Sequence, residues 1–179
     1  MVARALVIMI LIAGPAKSDS LAYQEVAAYV GVPPDILYAI ALAESADTVD
    51  GEMLPWPWTL NIAGDSRRFA DRSAMFAALM SALGEGTQSI DVGPMQINWF
   101  WQYEHIHSPW RLTDPGENLK LAAQLLKVQY ALCGDWWEAV GRYHRPSQTA
   151  SNRAIAHSYR ESVRSLHRRM IAEADSHER

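Results

Sequence analysis

A glutamate closes an oily helical run in the stretch ILYAIALAESA, Ile36 to Ala46. Leu37, Ile40, Ala41 and Glu44 follow the i, i+3, i+4, i+7 spacing of a single helix face, which sets the carboxyl on the core-facing stripe. A carboxyl stripped of water favours its neutral form, so its pKa rises. Such a group is either a structural ion-pair partner or a general acid, and neighbouring residues must decide between the two.

Two later stretches place polar groups beside turn-forming residues. DVGPMQIN, Asp91 to Asn98, sets Gly93-Pro94 ahead of Met95 and Gln96; AVGRYH, Ala139 to His144, ends a helical pattern with Tyr143 in its last turn. Glycosidases ordinarily flank the scissile bond with two carboxylates. Asp91 is the candidate for the second one, next to Glu44 as the first. The pair His105 and His107 in EHIH has no third partner in sequence and reads as polar surface rather than a metal site.

Taken in order, AES at Ala43 to Ser45, DVGPMQIN and AVGRYH resemble the motifs of the lytic transglycosylases of the soluble lytic transglycosylase type, which have a lysozyme-like fold. That family shows a Glu-Ser pair ending a helix, then Gly-Leu-Met-Gln, then Ala-Tyr-Asn-Ala-Gly. DPGENLKLAAQLL is similar to the family segment between the last two motifs, and the resemblance runs from about Tyr23 to His144. The small exported members linked to secretion and conjugation systems, with WTLNIAG before the Met-Gln motif, look most alike. This chain departs from the pattern at Pro94, which stands for Leu, at His144, which stands for Asn, and at Arg145-Pro146, which stands for Ala-Gly.

The resemblance implies a peptidoglycan lyase that cleaves the MurNAc-GlcNAc β-1,4 bond and leaves a 1,6-anhydromuramoyl end, without metal or other cofactor. It implies Glu44 as acid and then base, and Ser45 as a residue that orients it. It gives Met95 as an apolar sugar platform, and Gln96 and Asn98 as hydrogen-bonding partners of the glycan. Tyr143 would set its hydroxyl near Glu44, and Asp91 would be structural. Trp56, Trp58, Trp99 and Trp101 are further candidates for a glycan groove. Two alternatives stay open: a muramidase that uses water on the same bond, and a non-catalytic glycan-binding module of an assembly apparatus.

The elements that must position these groups are mostly helical. Ser20 is a candidate cap for LAYQEVAAYVG, and Pro33-Pro34 suit the first turn of the helix carrying Glu44. WTLNIA alternates as a strand, with Gly64-Asp65 as the turn of a small hairpin. Ser73 is expected to cap AMFAALMSAL, and a short strand is expected through Ile90 and Val92. Asp114-Pro115 and Asp135 open two further helices. A last basic helix runs from about Asn152 to Ala174, with Ile155, Tyr159, Val163, Leu166 and Met170 on one side. The expected class is mainly α (α+β): a lysozyme-like helical domain over residues 20–150 with a small β-hairpin, and a C-terminal helix over 151–179 packed on it.

The chain has 179 residues, enough for one domain with a real core, and its 49% hydrophobic and 20% charged residues are ordinary for a globular protein. A net charge of −4 gives no reason to expect nucleic acid as a partner. The arginines of the last helix read as a solvated face. Residues 1–18 have the layout of a secretory signal peptide: an early Arg, an apolar run from Ala5 to Ala13, then small residues. Cys133 is alone, which rules out an intramolecular disulfide, and the combination fits the bacterial periplasm. The expected partners are peptidoglycan glycan strands and components of a type IV secretion or conjugation machine.

Overall fold

The computed structural model describes residues 19–177; the expected signal peptide lies outside the described residues. The chain is mainly helical with a small antiparallel sheet. Helix α1 (Asp19–Val30) leads to α2 (Pro34–Ser45), whose Pro34 takes the first-turn position where a missing N–H costs nothing. Ser20 therefore lies inside the first helix rather than capping it. Helix α2 is the most deeply buried of the described helices, with Leu37, Ala39, Ile40 and Ala41 inaccessible to water.

Two hairpins follow directly. Strands β1 (Ala46–Val49) and β2 (Glu52–Pro55) pair with Val49 opposite Glu52, and β3 (Thr59–Ile62) and β4 (Asp65–Arg68) pair with Ile62 opposite Asp65. Each two-residue loop, Asp50-Gly51 and Ala63-Gly64, has positive φ at both positions, the twist that two-residue hairpins need. The second turn thus falls one residue earlier than Gly64-Asp65. The first hairpin was not expected, although Asp-Gly is its usual signal. Helix α3 (Arg72–Gly84) is capped by Asp71, which accepts from the Ala74 N–H at 2.8 Å; Ser73 is already helical.

Strands β5 (Ile90–Val92) and β6 (Ile97–Asn98) complete a four-stranded sheet in the order β4-β3-β5-β6. The turn between them, Gly93 to Gln96, is tightly constrained. Gly93 has φ +78°, and a Cβ there would come within 2.7 Å of the Asn118 amide, so both backbone and space require glycine. Asn118 itself is fully buried and gathers three segments: its Oδ1 accepts from Met95 N–H at 3.0 Å, and its amide donates to Val92 O at 2.8 Å and Leu112 O at 3.2 Å.

Helices α4 (Trp99–Ile106) and α5 (Pro109–Leu112) precede the long α6 (Pro115–Cys133), which is capped by Asp114 through the N–H groups of Gly116 and Glu117. Helix α7 (Trp136–His144) is capped by Asp135. Helix α8 (Ala150–His177) lies along α7 and α2, with Val163 fully buried. A Cβ at Gly141 would sit 2.9 Å from the Ala156 carbonyl, so glycine sets how closely α7 and α8 approach. At the far end His167 of α8 meets Asp35 of α2 at 2.6 Å.

Replacing Asn118 with Ala strands one buried N–H and two carbonyls around the turn. Urea unfolding is expected to register a loss of about 2–4 kcal/mol. Wild-type stability in this variant would mean that the turn is not held by Asn118.

Candidate functional site

Glu44 is the penultimate residue of α2, and its carboxyl is enclosed by protein while part of the side chain stays exposed. Burial raises its pKa from 4.5 to about 7, against a hydrogen bond from Tyr159 that favours the charged form and with a smaller upward push from the charge of Asp91. The Tyr159 hydroxyl, arriving from α8, donates to Glu44 Oε1 at 2.5 Å. Burial and the neighbouring Glu44 also drive the Tyr159 and Tyr143 hydroxyls well above their usual range, so both remain donors at neutral pH.

Three of the sequence-derived segments meet around this acid. Ser45 is buried beside it, and its hydroxyl donates to Pro94 O at 2.9 Å with Ala41 O as a second acceptor at 3.1 Å. That bond ties the end of α2 to the Gly93–Gln96 turn. The Tyr143 hydroxyl donates to Met95 O at 2.8 Å and fixes α7 to the same turn. The nearest hydroxyl partner of Glu44 is therefore Tyr159, and the expectation for Tyr143 is corrected. Tyr143 is close enough to feel the Glu44 charge, but its proton is committed to a backbone carbonyl.

The remaining candidates serve the framework more than the surface. Met95 has no exposed area and packs in the core, so it offers no platform to a sugar ring. Gln96 folds its amide back to Gly93 O at 2.8 Å and Thr59 O at 3.3 Å, which uses up its donors inside the turn. Asn98 donates to Asp91 at 2.8 Å and caps α4 through the Trp101 N–H. For Gln96 it is the backbone carbonyls at the tight turn that take the side chain expected to face substrate.

Asp91 lies in the electrostatic field of the site rather than outside it. Burial raises its pKa, and the Asn98 hydrogen bond and the Arg145 charge oppose that shift. His144, at the end of α7, stacks flat on Tyr159, with ring centroids 4.3 Å apart and planes within 5°. Burial, assisted by the Arg145 charge, lowers the His144 pKa, so its ring is neutral at pH 7. Tyr159 and His144 also line a groove of about 460 Å³ with Ile155 and Ser158.

The sequence sets Tyr159 on a packing stripe, and periodicity alone cannot tell a packed tyrosine from one whose hydroxyl meets an acid. Of the tryptophans, Trp56 donates to Phe69 O and stands edge-on to Trp58, while Trp58 and Trp99 pack against the core. Trp101 is 74% exposed. His105 and His107 lie at the exposed end of α4, and among the described residues no three potential metal ligands gather. Among the same residues no helix is long and apolar enough to cross a membrane. No family model, curated protein or solved structure matches this chain.

The Glu44 shift has a stability signature. The unfolded chain loses this proton near 4.5 and the folded chain near 7, so the folded state holds more protons between those values and loses stability as pH rises through the window. Glu44→Gln removes that loss. Its stability relative to wild type is expected to improve by about 1–3 kcal/mol between roughly pH 4 and pH 8, read by urea unfolding at both ends. A difference independent of pH would mean that the carboxyl titrates normally.

Proposed function

We propose that the chain is a peptidoglycan lytic transglycosylase with a lysozyme-like architecture. The observation that carries this reading is the enclosed carboxyl of Glu44, poised to hold or release a proton near neutral pH and held by a tyrosine hydroxyl. A binding module has no need of such a group. The ordered Glu-Ser, Met-Gln and Arg-Tyr-His segments meeting at one turn lend further support.

In this mechanism Glu44 gives its proton to the glycosidic oxygen as the bond to the muramoyl anomeric carbon breaks. The substrate's own acetamido group stabilises the positive charge that develops there. Its 6-hydroxyl then attacks the same carbon, and the Glu44 carboxylate takes the hydroxyl proton, which closes the 1,6-anhydro ring and restores the acid. The Tyr159 hydrogen bond steadies the carboxylate between the two transfers, and a pKa near 7 suits a group that must act in both directions. The likeness to small exported family members extends the proposal to a periplasmic protein that opens the wall locally for a secretion or conjugation machine.

A second reading within the same site is a muramidase. It is favoured by Asp91, whose charge reaches Glu44 and which is a candidate second carboxylate to activate water. The products separate the two. Mass spectrometry of digested peptidoglycan is expected to find 1,6-anhydro ends, whereas ordinary reducing ends would select the hydrolase. Glu44→Gln keeps the side-chain shape but supplies no proton, and release of muropeptides is expected to fall about 10²–10⁴-fold. Undiminished release by this variant would refute the assignment of the acid.

A further inference from the structure

We propose that Arg145 reads the acidic part of the substrate, binding a carboxylate carried by the muramoyl unit next to the scissile bond. This inference rests on the transglycosylase reading and adds to it a preference for carboxylate-bearing glycan over neutral glycan.

Arg145 ends α7, where its N–H bonds to Gly141 O at 3.0 Å and its side chain is exposed. It directly follows His144, whose ring lies flat on Tyr159, which in turn donates to Glu44. The chain therefore leaves the acid's surroundings at this residue, and Pro146 stiffens the exit. Among the described residues the guanidinium makes no hydrogen bond or ion pair; it acts only through its field on Asp91 and His144. Asp91 makes no ion pair with it; the Asp91 Oδ1 accepts from the Asn98 amide.

Arg68, which reaches the backbone just beyond the acid, is already engaged. It donates to Ala46 O, two residues beyond Glu44, and pairs with Asp47 at 3.4 Å. The charge of Arg145 is also absent from the influences on Glu44, which are burial, Tyr159 and Asp91. Arg145 thus offers positive charge on the Asp91 side without pulling the proton off the acid. An uncharged N-acetylglucosamine ring has no use for that cation. A muramoyl unit does, since its lactyl group ends either in a free carboxylate or in a peptide that carries carboxylates. The planar fork of arginine matches a carboxylate with two parallel hydrogen bonds.

The test measures binding to the full chain carrying Glu44→Gln, so that no glycan is consumed, with and without Arg145→Gln. The probes are peptide-bearing glycan strands, strands stripped of peptide with free lactyl carboxylates, and neutral N-acetylglucosamine oligomers. Arg145→Gln is expected to lower the affinity ratio of carboxylate-bearing to neutral glycan by about threefold to tenfold, the size of one partly screened charge-assisted contact. Arg145→Lys should recover part of it. A fall with the stripped strands assigns the lactyl carboxylate, and a fall with peptide-bearing strands alone assigns the peptide. An unmoved ratio, with anhydro products still formed by the wild type, overturns this inference alone. A wild type that neither binds nor cleaves any of the three glycans overturns the transglycosylase reading and this inference with it.

Discussion

A carboxyl that has lost most of its water is the constraint around which the molecule is arranged. Two effects disfavour the Glu44 anion. Its carboxyl is enclosed, and the charge of Asp91 adds a smaller push in the same direction. A single hydrogen bond from Tyr159 favours the charged form, and the balance leaves the pKa at about 7 rather than in an inert range. Without enclosure the group would be an ordinary anion at neutral pH. Without the tyrosine it would hold its proton too firmly to serve as a base.

That balance requires segments far apart in sequence to stay fixed to one another, and buried polar bonds rather than disulfides do this. Ser45 fastens α2 to the Gly93–Gln96 turn, Asn118 fastens the turn to α6, and Tyr143 fastens it to α7. Helix α8 is then brought in by the close Gly141–Ala156 crossing and the Asp35–His167 contact, so that Tyr159 reaches the acid. The C-terminal helix is part of the site and not an appendage to it. The price of this rigidity is that Met95, Gln96 and Asn98 spend their polar and packing capacity on the framework.

Helices α1, α2, α3, α6, α7 and α8 and the place of Glu44 were legible because they depend on local rules: period 3.6, Pro in a first turn, Asp at the caps of α6 and α7, Gly at the turn before Met95. The short α4 and α5 were not expected. The β1–β2 hairpin has its usual turn signal in Asp50-Gly51, but its strands ADTV and EMLP lack the alternation that marks a strand in sequence. What local rules could not supply was the direction of side chains within a tight turn. Gly93 and the positive φ of Gln96 turn Met95 into the core and leave backbone carbonyls for Gln96 to satisfy. Tyr159 was out of reach for another reason. Its partner lies 115 residues away, and only the packing of α8 on α2 reveals which tyrosine meets the acid. Arg145 was visible as a departure from the motif that the sequence resembles, but its lack of a hydrogen-bond or ion-pair partner among the described residues is a property of the folded chain.

The central claim is that Glu44 is a proton donor and acceptor tuned to neutrality, and its own titration tests this most directly. With glutamate labelled at the side-chain carboxyl carbon, the resonance that disappears in Glu44→Gln can be followed by NMR from acid to mildly alkaline pH. The expected midpoint is at about 7. A midpoint near the ordinary value of 4.5 would mean that the carboxyl is solvated and permanently charged at neutral pH, and the general-acid account would be wrong.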